Sequence, residues 1–513
     1  MSDAEVSGGR EIPPPSVEEL RSSAAALHFE LSDAELEEFA LFTAPLAGDY
    51  ALVESLPDPR LPVKYPREPG GRPPTGDNPL NAWYWKSTIR GAPRGKLAGK
   101  RIVVKDNICV AGLPMMNGSA VWEGFVPEQD ATVVTRVLDA GAEILGKAVC
   151  ENFCFSGGSH TSATGPVLNP HNPAHMSGGS SSGCAALIVA GECDMAIGGD
   201  QGGSIRMPSS FSGCYGIKPT YGLVPYTGAF PIDPGVDHLG PMAACVADCA
   251  LLLEVLAGFD DGRDPRQDPR LEVKAYTRAL TGDAQGLRIG LVTQGFGTPV
   301  SEPDVDRIVR EQALRFTDAG ASVIELSIPE HTQATGIMLA SMLDGALTTF
   351  TDYSGAGATP KGYAFTDAVR FYNEKRRTRA MSMPVTVKTV LLFAHVMRER
   401  YGVYYSAKAQ NLVRALRAAY DAALAEVDIL LMPTTPMKAL KIPAPDAGQA
   451  EIMANALPMI GNTAPFDATG HPSMSVPAGM SQGLPVGMML TGRLGEDDVV
   501  LRAAHAWEQL GNR

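Results

Sequence analysis

Residues 130–149 read DATVVTRVLDAGAEILGKAV. The stretch reads as a helix, a stop at Gly141 and a strand. The same grammar returns at 303–328, PDVDRIVREQALRFTDAGASVIELSI. It returns again, without the glycine, at 411–436, NLVRALRAAYDAALAEVDILLMPTTP. The tetrapeptide DAGA closes the first two helices, but no fixed period suggests a solenoid. Upstream, RIVVKDN (101–107) reads as a short buried strand ending near Lys105. Downstream, GCAALIVAGE (183–192) reads as a buried helix and CDMAIGG (193–199) as a strand. Alternating helices and strands argue for an α/β protein with a mostly parallel sheet.

The flanks divide the chain further. Residues 1–55 look helical, with capping boxes at Ser16–Glu19 and Ser32–Glu35. Residues 56–96 are rich in proline, glycine and charge and read as an extended surface arm. Residues 330–400 look mostly helical, contain the glycine-rich YSGAGATPKGY (353–363), and read as an excursion from the sheet that covers a pocket. PSMSVPAG (472–479) and GLPVGMMLTGR (483–493) read as an antiparallel pair, and a final amphipathic helix runs through DDVVLRAAHAWEQL (497–510). The resulting divisions are a helical region with a proline-rich arm (1–95), a core (96–329), the helical excursion (330–410) and a C-terminal return to the core (411–513).

Bulk properties exclude several functions. A chain of 513 residues is too long for one simple core. Its net charge of -14 argues against nucleic acid or an anionic membrane as partner. The N-terminus lacks the apolar segment of a secretory signal, and no apolar run reaches the roughly 18 residues of a membrane span. A soluble, cytoplasmic protein is expected. All eight cysteines lie between Cys109 and Cys249 without a CxxC pair, so buried free thiols in a reducing compartment are expected and a metal site is not.

Two glycine–serine runs carry the functional question: SGGSSSGCAA (177–186) and GGDQGGSIRMPSS (198–210). A flexible linker would be polar on both sides, whereas both runs abut apolar segments. A phosphate-binding P-loop needs a lysine that is missing here. GSSSG (179–183) formally matches the GxSxG nucleophile elbow with Ser181 at its centre, but the segment before it, NPHNPAHMS, is not a strand. The remaining reading joins both runs to Lys105. A serine hydroxyl becomes nucleophilic once a base removes its proton. A lysine can be that base if its reference pKa of about 10.4 falls toward ~7–8. Burial at the end of RIVV favours this, and a second hydroxyl can relay the proton. The glycines of QGGS let backbone N–H groups converge on an oxyanion, and a helix beginning at Ser204 would add its N-terminal partial charge.

VVKDN (103–107), GGSSSG (178–183) and GGDQGGSIRMPSSFSGCYGIKPTYGLVP (198–225), in this order, resemble the amidase signature family. The resemblance continues through VDHLGPM, DILLMPTTP, GNTAPFDATGHPSMSVPAG and GLPVGMML. Within the family the whole chain is most similar to the bacterial amidases encoded beside nitrile hydratases. The resemblance implies a central mixed, mostly parallel sheet covered by helices, with a helical N-terminal extension. It places Lys105 on the family's catalytic lysine, Ser204 on the acylated nucleophile, and Ser180 on the bridging serine that follows a cis peptide bond. It places the N–H groups of Gln201, Gly202, Gly203 and Ser204 on the oxyanion hole. Phe155 and Ile460 fall where the acyl group would bind. Ser182, Cys184 and Gln201 depart from the family pattern, and Asp200 and Arg206 would brace the turn. The implied activity is cofactor-free and metal-free hydrolysis of a small aliphatic or aromatic carboxamide. Carbamates (a urethanase), anilides (an aryl acylamidase) or esters are alternatives, and a glutamine-dependent amidotransferase subunit is a more distant one. The family also implies a homodimer, and the net charge implies that it binds neither nucleic acid nor membrane.

Overall fold

The computed structural model describes residues 11–355 and 361–511. The chain divides at Pro62/Val63 into two units. The first holds helices α1 (Val17–Ala26) and α2 (Asp33–Ser55). Both expected capping boxes are present. The Ser16 and Ser32 side chains accept from the N–H groups of Glu19 and Glu35, whose carboxylates reach back to the cap N–H groups.

The second unit is built on one sheet. Its first half contains strands β1 (Trp83–Arg90), β2 (Arg101–Lys105), β3 (Glu143–Ala148), β4 (Met195–Asp200), β5 (Tyr215–Lys218) and β6 (His238–Ala243). Between and after them lie helices α3 (Thr132–Asp139), α4 (Ser182–Val189), α5 (Arg206–Ser212) and α6 (Val246–Leu256). Then follow β7 (Arg288–Val292), α7 (Pro303–Leu314) and β8 (Ser322–Leu326). The expected excursion is helical: α8 (His331–Leu347), α9 (Thr366–Arg379), α10 (Val385–Tyr401) and α11 (Tyr404–Glu426). Part of its glycine-rich stretch, 356–360, lies outside the described residues. The chain returns through β9 (Ile429–Pro433), short helices α12 (Gln449–Ala454) and α13 (Ala464–Thr469), β10 (Ser473–Ser481), β11 (Leu484–Thr491) and α14 (Asp497–Gly511).

The sheet has eleven strands in the order β1-β3-β2-β4-β6-β5-β10-β11-β9-β7-β8. It is mixed, as expected, but less parallel than expected. Parallel pairing is confined to β3-β2-β4 and β9-β7-β8. The stretch from β4 through β6, β5, β10 and β11 to β9 is antiparallel. The helix–strand grammar signals parallel pairing only where a helix crosses over the sheet. The expected antiparallel pair is present as the β10–β11 hairpin, but β1–β3, β4–β6, β5–β10 and β9–β11 join strands well apart in sequence, whose pairing no local pattern announces. The reading of 56–96 as a surface arm also needs correction. Trp83–Arg90 is a strand, antiparallel to β3, with Trp83, Tyr84 and Ile89 buried. Its proline-rich flanks mask a strand whose partner lies about sixty residues onward, and the burial of its aromatic rings supplies the stabilisation.

The DAGA glycines do the work the sequence assigns them. Gly141 and Gly320 adopt left-handed φ of 91° and 87° and end their helical runs before β3 and β8. Helix α4 is apolar on nearly every face and buried throughout Ser182–Ile188. It packs among β2, β3, β4, β6 and α5, which brings the two glycine–serine runs together.

Candidate active site

Strand β2 carries Lys105 into the interior, where it is fully buried. Its Nζ donates to Ser180 Oγ at 2.8 Å and to the Gly199 carbonyl at 3.0 Å. A second buried lysine on the adjacent strand, Lys147, takes the buried Asp106 carboxylate at 3.1 Å. Lys105 is thus left with a hydroxyl and a carbonyl as hydrogen-bond partners. Ser180 follows a cis Gly179–Ser180 peptide bond. Ser181, the centre of the alternative elbow, is tied to β4: its Oγ donates to the Gly199 carbonyl at 3.1 Å and accepts from the Gly199 N–H at 3.2 Å. Among the described residues no strand of the sheet leads directly into it. The elbow geometry is absent.

Ser204 sits beside this pair, its own carbonyl accepting from the Ser181 N–H at 3.2 Å. It lines a cleft together with Phe155, Gln201, Gly202 and Ile460, all named from the sequence. Met338, Leu339 and Met342 from α8 and Leu457 complete the apolar wall. The helical excursion and the segment before α13 therefore both reach the cleft. The Gln201 amide turns away toward Tyr226, donating to its hydroxyl at 2.8 Å.

The turn after β4 is held by Asp200. Its carboxylate accepts from Gly203 N–H at 2.5 Å, Ile205 N–H at 3.0 Å and Arg206 N–H at 3.4 Å. It also pairs with the Arg206 guanidinium at 3.0 Å, both side chains being fully buried. Burial alone would raise the Asp200 carboxyl, but the Arg206 charge and these hydrogen bonds override it and hold the acid well below the usual range. Two expectations change. Helix α5 starts at Arg206 rather than Ser204, and the N–H groups at its start cap Asp200. The Gly203 N–H is likewise committed to Asp200. Of the four groups named for an oxyanion, the N–H groups of Gln201, Gly202 and Ser204 have no hydrogen-bond acceptor among the described residues.

Residues that the sequence reading missed support the turn. Thr463 Oγ1 donates to the Gly202 carbonyl at 2.7 Å, and its own carbonyl accepts from Arg206 at 2.8 Å. Asn462 is anchored by the carbonyls of Gly295 and Pro433 and by His331. The motif GNTAPF contained both residues, but nothing local shows that their partners come from 29 to 261 residues away. The cleft also contains a thiol, Cys154. Among the described residues, no group of histidine, cysteine or acidic side chains could hold a metal ion. All eight cysteines are free.

A buried lysine hydrogen-bonded to a serine, beside a glycine turn with free N–H groups and another serine, offers groups of the kinds that acyl transfer uses. The sequence model of the family described as Amidase matches residues 80–501. This chain belongs to the amidase family. An enantioselective amidase of Rhodococcus rhodochrous is 44% identical over 506 residues, covering 98% of this chain and 97% of the relative. A glutamyl-tRNA(Gln) amidotransferase subunit from Methanosarcina barkeri is 35% identical, over 81% of this chain and 85% of its own. Among solved structures, a bacterial aryl acylamidase of the amidase signature family superposes with a TM-score of 0.69 at 27% identity, covering 81% of this chain and 83% of its own. The amidase is an amide hydrolase, and its substrates are small-molecule amides.

Proposed function

We propose that the amidase hydrolyses small aliphatic or aromatic carboxamides through an acyl-Ser204 intermediate, with Lys105 as base and Ser180 as proton relay. The observation that carries this reading is the 2.8 Å hydrogen bond between the buried Lys105 Nζ and Ser180 Oγ beside Ser204. Lys105 takes a proton through Ser180 as Ser204 Oγ attacks the amide carbonyl. The N–H groups of Gln201, Gly202 and Ser204 hold the oxyanion. The proton returns by the same path to the departing ammonia or amine, and water then cleaves the ester to Ser204. The apolar wall around Phe155 and Ile460 suits an uncharged alkyl or aryl acyl group.

Labelling with a fluorophosphonate, followed by peptide mapping, tests the assignment. Label on Ser204 that is lost in Lys105→Ala is the expected outcome. Label on Ser181, or full amide turnover by Ser204→Ala, would overturn it. Aryl amides are a second substrate class, favoured by the likeness to the aryl acylamidase. Product analysis separates ammonia from anilines and, for carbamates, from alcohol plus carbon dioxide. The match to the Rhodococcus amidase spans almost the whole chain, which favours a free-standing hydrolase over a component of an amidotransferase.

A homodimer is proposed from exposed apolar faces. Helix α2 exposes Phe39, Leu41, Phe42 and Tyr50, and α10 with α11 exposes Leu392, Phe393, Tyr404 and Tyr405. The eight free thiols fit a reducing, cytoplasmic compartment, and the net charge of -14 fits an enzyme that does not bind nucleic acid or anionic membranes. Among the described residues no single helix is long and apolar enough to cross a membrane.

A further inference from the structure

Two thiols converge on one side chain beside the cleft. Cys150 follows β3 and is fully buried, whereas Cys154 lines the cleft beside Ser204. Both sulfurs lie against one oxygen: Cys154 Sγ is 3.4 Å and Cys150 Sγ 3.9 Å from Asn117 Oδ1. The backbone is bent to hold them there. Phe153 and Cys154 adopt successive left-handed φ of 53° and 57°, a conformation that disfavours residues with side chains. The bend sets the Cys154 thiol in the cleft, in the electrostatic neighbourhood of Cys150, Lys105 and Ser180. Beside the two sulfurs, the Asn117 Nδ2 group is buried and has no acceptor among the described residues.

The remaining cysteines do not share this setting. Burial pushes Cys109, Cys184 and Cys214 up to about 12. Burial also opposes ionisation of Cys154, but Cys150, Lys105 and Ser180 outweigh it and lower the thiol below its ordinary value. Cys150 itself is pushed well up, chiefly by burial. The arrangement pairs one ionisable thiol facing the cleft with one protonated thiol behind it.

We propose that Cys154 is a peroxide-sensitive switch of this amidase and that Cys150 is its resolving thiol. The switch rests on the reading above in so far as Lys105 and Ser180 perform the hydrolysis. The Cys154 thiolate attacks one oxygen of a hydroperoxide, the O–O bond breaks, and the leaving oxygen takes a proton to become water or an alcohol. Cys154 is then a sulfenic acid, whose oxygen can accept from the unpaired Asn117 Nδ2. The Cys150 sulfur attacks the Cys154 sulfur, the S–O bond breaks, and the departing hydroxide takes the Cys150 proton. Two thiols and one hydrogen peroxide give one disulfide and two waters; a dithiol reverses the change. The new bond draws the Cys154 sulfur toward Cys150, away from Lys105 and Ser180, and pulls on the adjoining Phe155.

The test treats the purified enzyme with hydrogen peroxide, quenches with catalase, and follows amide turnover and the mass of the peptide containing residues 150 and 154. Each variant is compared with its own untreated rate. Turnover is expected to fall by about tenfold or more with loss of two hydrogens between Cys150 and Cys154, and to return with dithiothreitol. Oxidation of the cleft methionines would not be reversed by the dithiol. Cys154→Ala, or Cys154→Ser should the first fail to fold, should resist the same dose. Cys150→Ala should be inactivated without recovery, its Cys154 passing to the sulfinic acid. The proposal is overturned if Cys154 variants lose activity as fast as the parent, if the bond forms elsewhere, or if the parent is unaffected. The mass change is independent of turnover, so amide hydrolysis surviving in Ser204→Ala would remove the acyl-Ser204 reading while leaving the disulfide result to stand or fall alone.

Discussion

Two residues show how finely the turn after β4 is specified. Asp200 neutralises Arg206 and satisfies three backbone N–H groups, with both side chains fully shielded from solvent. Asp200→Asn keeps the shape but leaves a buried guanidinium with less compensation. It should destabilise the protein by about 3–5 kcal/mol, read by denaturant titration. The sign of the pH dependence follows from the depressed acid. Its stabilisation is present above the unfolded carboxylate value and is lost only as pH falls through the folded one, so the variant's deficit should be constant from neutral pH down to about pH 5. Thr463 acts through Gly202. Without its hydroxyl the Gly202 carbonyl loses a 2.7 Å hydrogen bond, and the Gly202–Gly203 peptide plane is held at one end only, by the Gly203 N–H on Asp200. Thr463→Val should lower kcat about tenfold with little change in KM, and Thr463→Ser should restore most of it. A parallel rise in KM would instead place Thr463 in substrate binding.

At the scale of elements, the decisive contact is between the β4–α5 turn and the segment entering α13. Gly203 has φ of 129°, and a Cβ there would meet Thr463 Oγ1 at 2.3 Å. Gly203→Ala should therefore disturb the turn and its partner together, with a loss of kcat of about a hundredfold or more. Fluorophosphonate labelling of Ser204 in that variant should slow in proportion. Labelling at the parental rate would show that the turn absorbs the methyl group without moving its N–H donors. The elements themselves were largely legible. β2, α3, β3, α4 and β4 lie where apolar runs and glycine stops placed them. β1 was not legible, because its edge-strand character depends on β3. Nor was the start of α5, because Asp200 caps it from a position whose side-chain direction no periodicity reveals.

For the whole molecule, the prediction concerns assembly. Several large apolar side chains are exposed on α2 and on α10–α11. A solution mass about twice the 54.2 kDa chain is expected by light scattering. Phe42→Glu should shift the species toward the monomer if α2 forms the interface. A parent that is monomeric at micromolar concentration would remove the dimer from the proposal.

What the sequence determined alone was local: the kinds of elements, their order, the capped helices, and the lysine and serines that the motifs single out. Hydrophobic periodicity and glycine stops are properties of neighbours in the chain, so they survive without coordinates. The tertiary structure decided which partner each polar group received. It gave Asp106 to Lys147 and left Lys105 to Ser180. It spent the Gly203 N–H on Asp200 and left three others free. It set Cys154 beside Lys105 and Thr463 beneath Gly202. A buried polar group must find its hydrogen bond wherever the packed chain offers one, and that partner can come from any distance along the sequence.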